Sequence, residues 1–280
     1  LGFFQRTDED KIYEKEWDVL IVLDACRFDL MKEVVNEGEY EYLRPLNDIY
    51  SAAGTSKEWM QKNFTGKYME DARKTAMVTG NPYSDDNMDE EDFYLLEEAW
   101  RYAYDPETET VMPRPITDSA IRIHREENPE KMVIHYMQPH FPFLGRDLSD
   151  GFSKEEFGEE LRKDVWDELM LDNVDRDEVW KGYKDNLRKV LEEVELLKEN
   201  MDAEKMIITA DHGNGLGRPF STERFVYGHR GKIKTEGLRK VPWVEVEAED
   251  EKNYTPEETE EDRDKEKIVK DALRDLGYNA

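Results

Sequence analysis

The chain has 280 residues, of which 38% are apolar and 39% charged, with a formal net charge of -28 at pH 7. An average soluble domain is about 25% charged, and so negative a field repels phosphate, which excludes a nucleic-acid backbone or an anionic membrane surface as partner. Aromatic residues at 11%, with six Trp, also argue against a disordered acidic chain, because they supply apolar surface for a core.

The length suits one large α/β domain or two small ones. A surface this acidic resembles that of halophilic proteins, where salt screens the self-repulsion. The single Cys26 has no partner for an internal disulfide. No apolar run approaches the ~20 residues of a membrane span, and "LGFFQRTDED" lacks the pattern of a signal peptide. A cytoplasmic protein without an integral membrane segment is the expectation.

In chain order, Val19 to Leu23 is a continuous apolar run closing on Asp24, the pattern of a strand buried on both faces. In "SAAGTSKEWMQKNFTG" (51–66), small residues lead into Thr55-Ser56, a helix follows, and Thr65-Gly66 ends it. A hydroxyl there is ordinarily an N-cap. "KTAMVTGNP" (74–82) reads as a second strand, and 84–112 as an excursion without clear period. A helix over 116–128 precedes a third strand, "KMVIHYMQPH" (131–140). His135 within it reads as a hydrogen-bonded core residue, and His124 as a solvated one. The charged stretch 145–180 reads as helical, anchored by Trp166 and Trp180. A helix over 183–200 repeats Leu187, Val190, Leu191, Val194 and Leu197 at helical spacing. "KMIITADHG" (205–213) is a fourth strand ending on Asp211-His212. "YGHRG" (227–231) sets His229 and Arg230 in a glycine-flanked loop. "VPWVEVE" (241–247) alternates as a strand with one wet face, an acidic linker follows, and 267–278 reads as a short amphipathic helix.

Strands alternating with helices imply an α/β fold, a mostly parallel or mixed sheet sandwiched by helices. The expected organisation is a main domain over 1–240, with the strand, linker and helix of 241–280 on the same domain. In such sheets ligands bind beyond the carboxyl ends of the strands. Asp24, His140 and Asp211-His212 all follow predicted strand ends. One Asp at a strand end is usually a turn former; several ligand-bearing ends converging on one edge point to a metal or catalytic site.

The order Asp24, hydroxyl at a helix start, "QPHFPF", "TADHGNGLG", "YGHRG" and "VPW" resembles the alkaline phosphatase superfamily. The likeness is to the sulfatase-like branch with the phosphoglycerol and phosphoethanolamine transferases. "LDACRFD" is similar to the "DALRxD" that opens many members. The resemblance implies an alkaline phosphatase-like α/β sandwich with a small C-terminal antiparallel sheet around 241–247. It implies Asp24, Asp211 and His212 as metal ligands, with His229 binding a second metal or the substrate. The nucleophile would be the helix-start hydroxyl. Counting ten places back from Gly66, as in the sulfatase motif, gives Ser56 first and Thr55 second. His140 would meet the substrate or leaving group, and Arg27 and Arg230 an anionic oxygen.

"TSKEW" lacks the "CxPSR" signature for formylglycine, no lysine-histidine element stands at "VTGNPYS", and the pair is Asp-His where sulfatases have Asp-Asn. These departures favour an unmodified Ser or Thr attacking a phosphomonoester or phosphodiester over a sulfate ester. Mixed N/O ligands suit Mn²⁺ or Zn²⁺ better than Ca²⁺, as one or two divalent ions. The expected partner is a small-molecule, glycan- or lipid-linked ester. The alternative is a catalytically silent scaffold that keeps the fold.

Overall fold

A computed structural model of the chain describes residues 9–146, 148, 164–217, 226–229 and 234–258. The apolar runs become strands β1 (Val19–Leu23), β2 (Asn47–Tyr50), β3 (Thr75–Thr79), β4 (Leu95–Glu97), β5 (Tyr104–Asp105), β6 (Thr110–Val111), β7 (Lys131–Tyr136), β8 (Ala203–Thr209), β9 (Gly215–Leu216), β10 (Tyr227–Gly228) and β11 (Lys240–Ala248). Seven of them form one sheet in the order β2-β11-β8-β1-β7-β3-β4. β8, β1, β7, β3 and β4 run parallel, whereas β11 is antiparallel to both β8 and β2. Two-stranded antiparallel sheets are made by β9 with β10 and by β5 with β6.

The class is the α/β architecture expected. The strand around 241–247 is placed differently: it lies inside the large sheet, next to β8, and the small antiparallel sheets lie elsewhere. Its alternation is explained by this position, since Val241, Val244 and Val246 are buried while Glu245 and Glu247 are exposed.

Side chains alternate across a strand, and the two faces bury different sets. Val19, Ile21, Leu23, Val78, Ile134 and Ile208 pack with the helices Phe28–Asn36, Pro113–Glu127 and Arg176–Asn200. Leu20, Val22, Met77, Val133 and Ile207 pack with Trp59, Met60 and Phe64 of the helix Ser56–Phe64. The long helix starts at Arg176, seven residues before the expected start at 183, because Asp175 caps it by accepting from the Asp177 and Glu178 amides. The region 84–112, read as an excursion, holds the edge strand β4 and short helices. The expected helix over 267–278 lies outside the described residues.

Candidate active site

Alternation places the site. On the face covered by helix Ser56–Phe64, the layer Leu20, Met77, Val133 and Ile207 is followed by Val22, Thr79, His135 and Thr209. Two residues further on, past the carboxyl ends of the strands, come Asp24, Asn81 and Asp211. The same periodicity that fills the core thus delivers two carboxylates and an amide to one spot.

The carboxylates are buried, Asp24 at 2% exposure and Asp211 at 0%. One oxygen of Asp211, Oδ1, accepts from the Ala25 amide at 2.9 Å and the His212 amide at 2.8 Å. Its Oδ2 has no hydrogen-bond partner, and neither has Asp24 Oδ1. Asp24 Oδ2 accepts from the Asn81 side-chain amide at 2.7 Å and from Ser56 Oγ at 3.3 Å. His212 Nε2 stands 3.7 Å from Asp24 Oδ1 and 3.4 Å from Asp211 Oδ2. Ligand atoms of Asp24, Asp211 and His212 all lie within 4.8 Å of one another. Buried oxygens without partners are costly, and their convergence with an imidazole nitrogen fits a divalent cation.

Burial pushes the Asp24 carboxyl well above the ordinary carboxylate range, and the Asp211 charge beside it acts in the same direction. Burial also acts to raise Asp211, but His212 and His135 outweigh it and leave this carboxyl below its ordinary value. Burial lowers His135 and His140 to about 4 and pushes His229 well below the ordinary imidazole range, so burial favours the neutral form of all three rings.

Hydrogen bonds assign the tautomers. A carbonyl oxygen only accepts, so His212 Nδ1–H donates to the Gly213 carbonyl at 2.8 Å, and His140 Nδ1–H to the Phe141 carbonyl. His229 Nδ1–H donates to Asn214 Oδ1 at 3.0 Å. Each of these rings therefore keeps the Nε2 lone pair for a metal or a proton. The rings of His212 and His229 are 4.7 Å apart, and those of His229 and His140 5.0 Å.

The two candidate hydroxyls separate. Thr55 is the N-cap, its Oγ1 accepting from the Glu58 amide at 3.3 Å. Ser56, 4% exposed, turns Oγ to Asp24 Oδ2 and to His212 Nε2, 3.3 Å from each. Arg27 is held by Asp29 through Nε and Nη2 (2.8 and 2.6 Å), while Nη1 donates to the Asn214 carbonyl. Its guanidinium ties the loop after β1 to the loop after β8. Arg230 lies outside the described residues.

Sequence reasoning passed over four supporting residues. Asn81 bonds Asp24. His135, read as a hydrogen-bonded core residue, has no hydrogen-bond partner at either ring nitrogen and lies under the carboxylates. Asn214 orients His229. Arg239, 4% exposed, donates to the carbonyls of Ser51 and Ala52 on the segment leading to Ser56. Strand parity would have found Asn81 and His135, because each lies an even number of residues from a buried residue on the Ser56–Phe64 face. The segment after the Asp-His pair is threaded tightly: a Cβ on Gly213 would meet the Gly237 carbonyl oxygen at 2.2 Å, and one on Gly215 the Val226 carbonyl oxygen at 2.3 Å.

With this geometry in hand, the chain can be compared with solved structures. It matches the soluble domain of lipooligosaccharide phosphoethanolamine transferase A from Neisseria meningitidis with a TM-score of 0.53 and 10% identity, over 82% of this chain and 76% of that one. The C-terminal periplasmic domain of phosphoethanolamine transferase EptC from Campylobacter jejuni matches with a TM-score of 0.50 and 12% identity, over 88% and 84%. The chain shares the fold of these two domains. Against the integral membrane form of the Neisseria enzyme the TM-score is 0.51 at 10% identity, and the match covers 84% of this chain but 48% of that one. No helix among the described residues is long and apolar enough to cross a membrane. No protein-family model matches the sequence, and no curated protein does.

Proposed function

We propose that the protein is a metal-dependent enzyme that transfers or hydrolyses a phosphate ester through Ser56. The observation that carries this reading is the position of Ser56 Oγ, buried at a helix N-terminus and 3.3 Å from both Asp24 Oδ2 and His212 Nε2. Asp24, Asp211 and His212 would hold the ion, whose chemistry when bound is to stabilise the serine alkoxide and the charge growing on the phosphoryl oxygens. Nitrogen and carboxylate donors together suit Zn²⁺ or Mn²⁺ better than Ca²⁺.

The chain's own residues supply the rest. Free amides in the first turn of helix Ser56–Phe64 and the positive end of its dipole favour an anionic phosphoryl group beside Ser56. Ser56 Oγ gives up its proton and bonds to phosphorus while the ester oxygen leaves and takes up a proton, giving a phosphoseryl ester and the free alcohol. With Nδ1–H bonded to a protein oxygen, His140 and His229 each present Nε2 as an acceptor, which suits removal of a proton from the water or alcohol that attacks phosphorus and frees Ser56. A lipid- or glycan-linked alcohol is the acceptor class in keeping with the name of the Neisseria structure, a lipooligosaccharide phosphoethanolamine transferase. Assay of the metal-loaded chain against 4-nitrophenyl phosphate, bis(4-nitrophenyl) phosphate and 4-nitrophenyl sulfate tests the reading. Turnover of the phosphorus esters, absent in Ser56→Ala, supports it; unchanged turnover in that variant overturns it.

A further inference from the structure

Asn186 stands in the interior of helix Arg176–Asn200, in the apolar stripe of Val179, Tyr183, Leu187 and Val190, and all five residues are 0% exposed. Asn is a poor interior helix residue, and a buried amide is costly unless it is satisfied. Here the loop after β7 satisfies it. Oδ1 accepts from the Leu144 amide at 2.7 Å, and Nδ2 donates to the carbonyls of His140 and Pro142, both at 2.9 Å, and to that of Pro139 at 3.4 Å. Because one partner only donates and the others only accept, the orientation of the side-chain amide is fixed. All these partners are backbone groups within 139–144, so one side chain sets the path of the loop that carries His140.

Two further contacts seat the same loop. One turn earlier, Gly182 leaves room for Phe143: a Cβ there would meet the Phe143 ring at 2.6 Å. Arg146 donates to Asp185 Oδ2 through Nε and Nη2, at 2.9 and 2.6 Å. The helix is also tied to the other half of the site. The Tyr183 hydroxyl donates to the Ala25 carbonyl, next to Asp24, and the Ala25 amide donates to Asp211 Oδ1. The helix thus bridges from the carboxylates to His140, and Asn186 is its link at the histidine end. We propose that Asn186 is a positioning residue for His140, fixing where Nε2 stands when water or an alcohol attacks the phosphoseryl ester. This rests on the reading of Ser56 and His140 given above. In that step the water oxygen bonds to phosphorus and one of its protons passes to His140 Nε2. The bond from Ser56 Oγ to phosphorus breaks, and Oγ takes up a proton.

The test separates formation of the phosphoseryl ester from its breakdown. The full metal-loaded chain turns over 4-nitrophenyl phosphate, and samples are quenched in acid and weighed by intact-protein mass spectrometry. Steady release of 4-nitrophenolate and the fraction of chain carrying the ester together give both rate constants. In Asn186→Ala the ester should form near the wild-type rate, with wild-type metal content. It should break down on the order of 100-fold more slowly, the scale of a misplacement of about 1 Å. His140→Gln should also slow breakdown, and the double variant should be no slower than His140→Gln, because Asn186 acts through that ring. Wild-type breakdown in either single variant, slowing that multiplies in the double variant, or formation slowed as much as breakdown overturns the proposal and leaves Ser56 standing. A wild-type chain without turnover that depends on Ser56 overturns the reading of Ser56 itself. If Asn186→Ala does not fold, Gly182→Ala decides, since its methyl group pushes Phe143 and the loop off the helix while Ala suits a helix better than Gly. Slowed breakdown in that variant supports the proposal, and wild-type breakdown overturns it.

Discussion

The Asn81 side-chain amide donates to Asp24 Oδ2 across 2.7 Å, and both residues are 2% exposed. A neutral donor here leaves Oδ1 as the free oxygen of Asp24 without adding charge, the orientation that the proposed ion would need. Asn81→Ala should therefore weaken metal binding by roughly 10- to 100-fold, read by chelator competition. Equal affinity in the two proteins would show that Asp24 is oriented by something else.

The adjacent hydroxyls should behave differently. Ser56→Ala should remove turnover while leaving thermal unfolding near that of the wild type. Thr55→Ala removes a helix cap and should cost about 1 kcal/mol of stability while retaining activity. Activity lost in Thr55→Ala but kept in Ser56→Ala would exchange their roles.

Arg239 holds the carbonyls of Ser51 and Ala52, Lys62 also donates to the Ala52 carbonyl, and Ser51 Oγ donates to the Asp211 carbonyl. The segment before Ser56 is thus pinned to the segment that carries the ligands. Arg239→Met should lower kcat on the order of 100-fold, the scale of a misplacement of about 1 Å, while metal content stays at the wild-type level. Loss of metal together with activity would indicate general unfolding of the site.

Glu9 receives Arg239, Lys62 and Lys234 and has its pKa lowered to about 2; partial burial opposes the shift and these cations outweigh it. A depressed carboxylate contributes stability that is present above its unfolded pKa of about 4.5. That contribution is lost as pH falls through the window down to about 2. Melting temperatures measured across this window should fall less steeply in Glu9→Gln than in the wild type.

The net charge of -28 implies self-repulsion that salt relieves. The melting temperature should rise between low and molar KCl. A flat response would mean that the ion pairs on the surface already balance the excess.

The sheet was legible because its buried strands carry unbroken apolar runs such as Val19–Leu23 and Met206–Ile208. Asp24, Asp211 and His212 stood out because they follow such runs directly. Edge strands β2 and β4 went unread, since "NDIY" and "LLE" are too short and too mixed to show a period. Asn81, His135 and Arg239 were missed for another reason: each meets neighbours remote in sequence, and an Asn, a core His or an Arg ending a short helix has no local pattern that announces it. His135 was assigned to the core by burial, which is correct, but its unmet hydrogen bonds exist only in three dimensions.

The alternation that stacks Val22 and His135 beneath Asp24, Asn81 and Asp211 has a consequence for how the protein tolerates change. In a strand, a slip of one residue turns every side chain to the opposite face. An insertion or deletion within β1, β3 or β8 would thus expel Asp24, Asn81 or Asp211 from the pocket in the same move that turns the core inside out. A chain with a slipped strand therefore loses core and candidate site together, so folding itself acts as the quality control of this pocket.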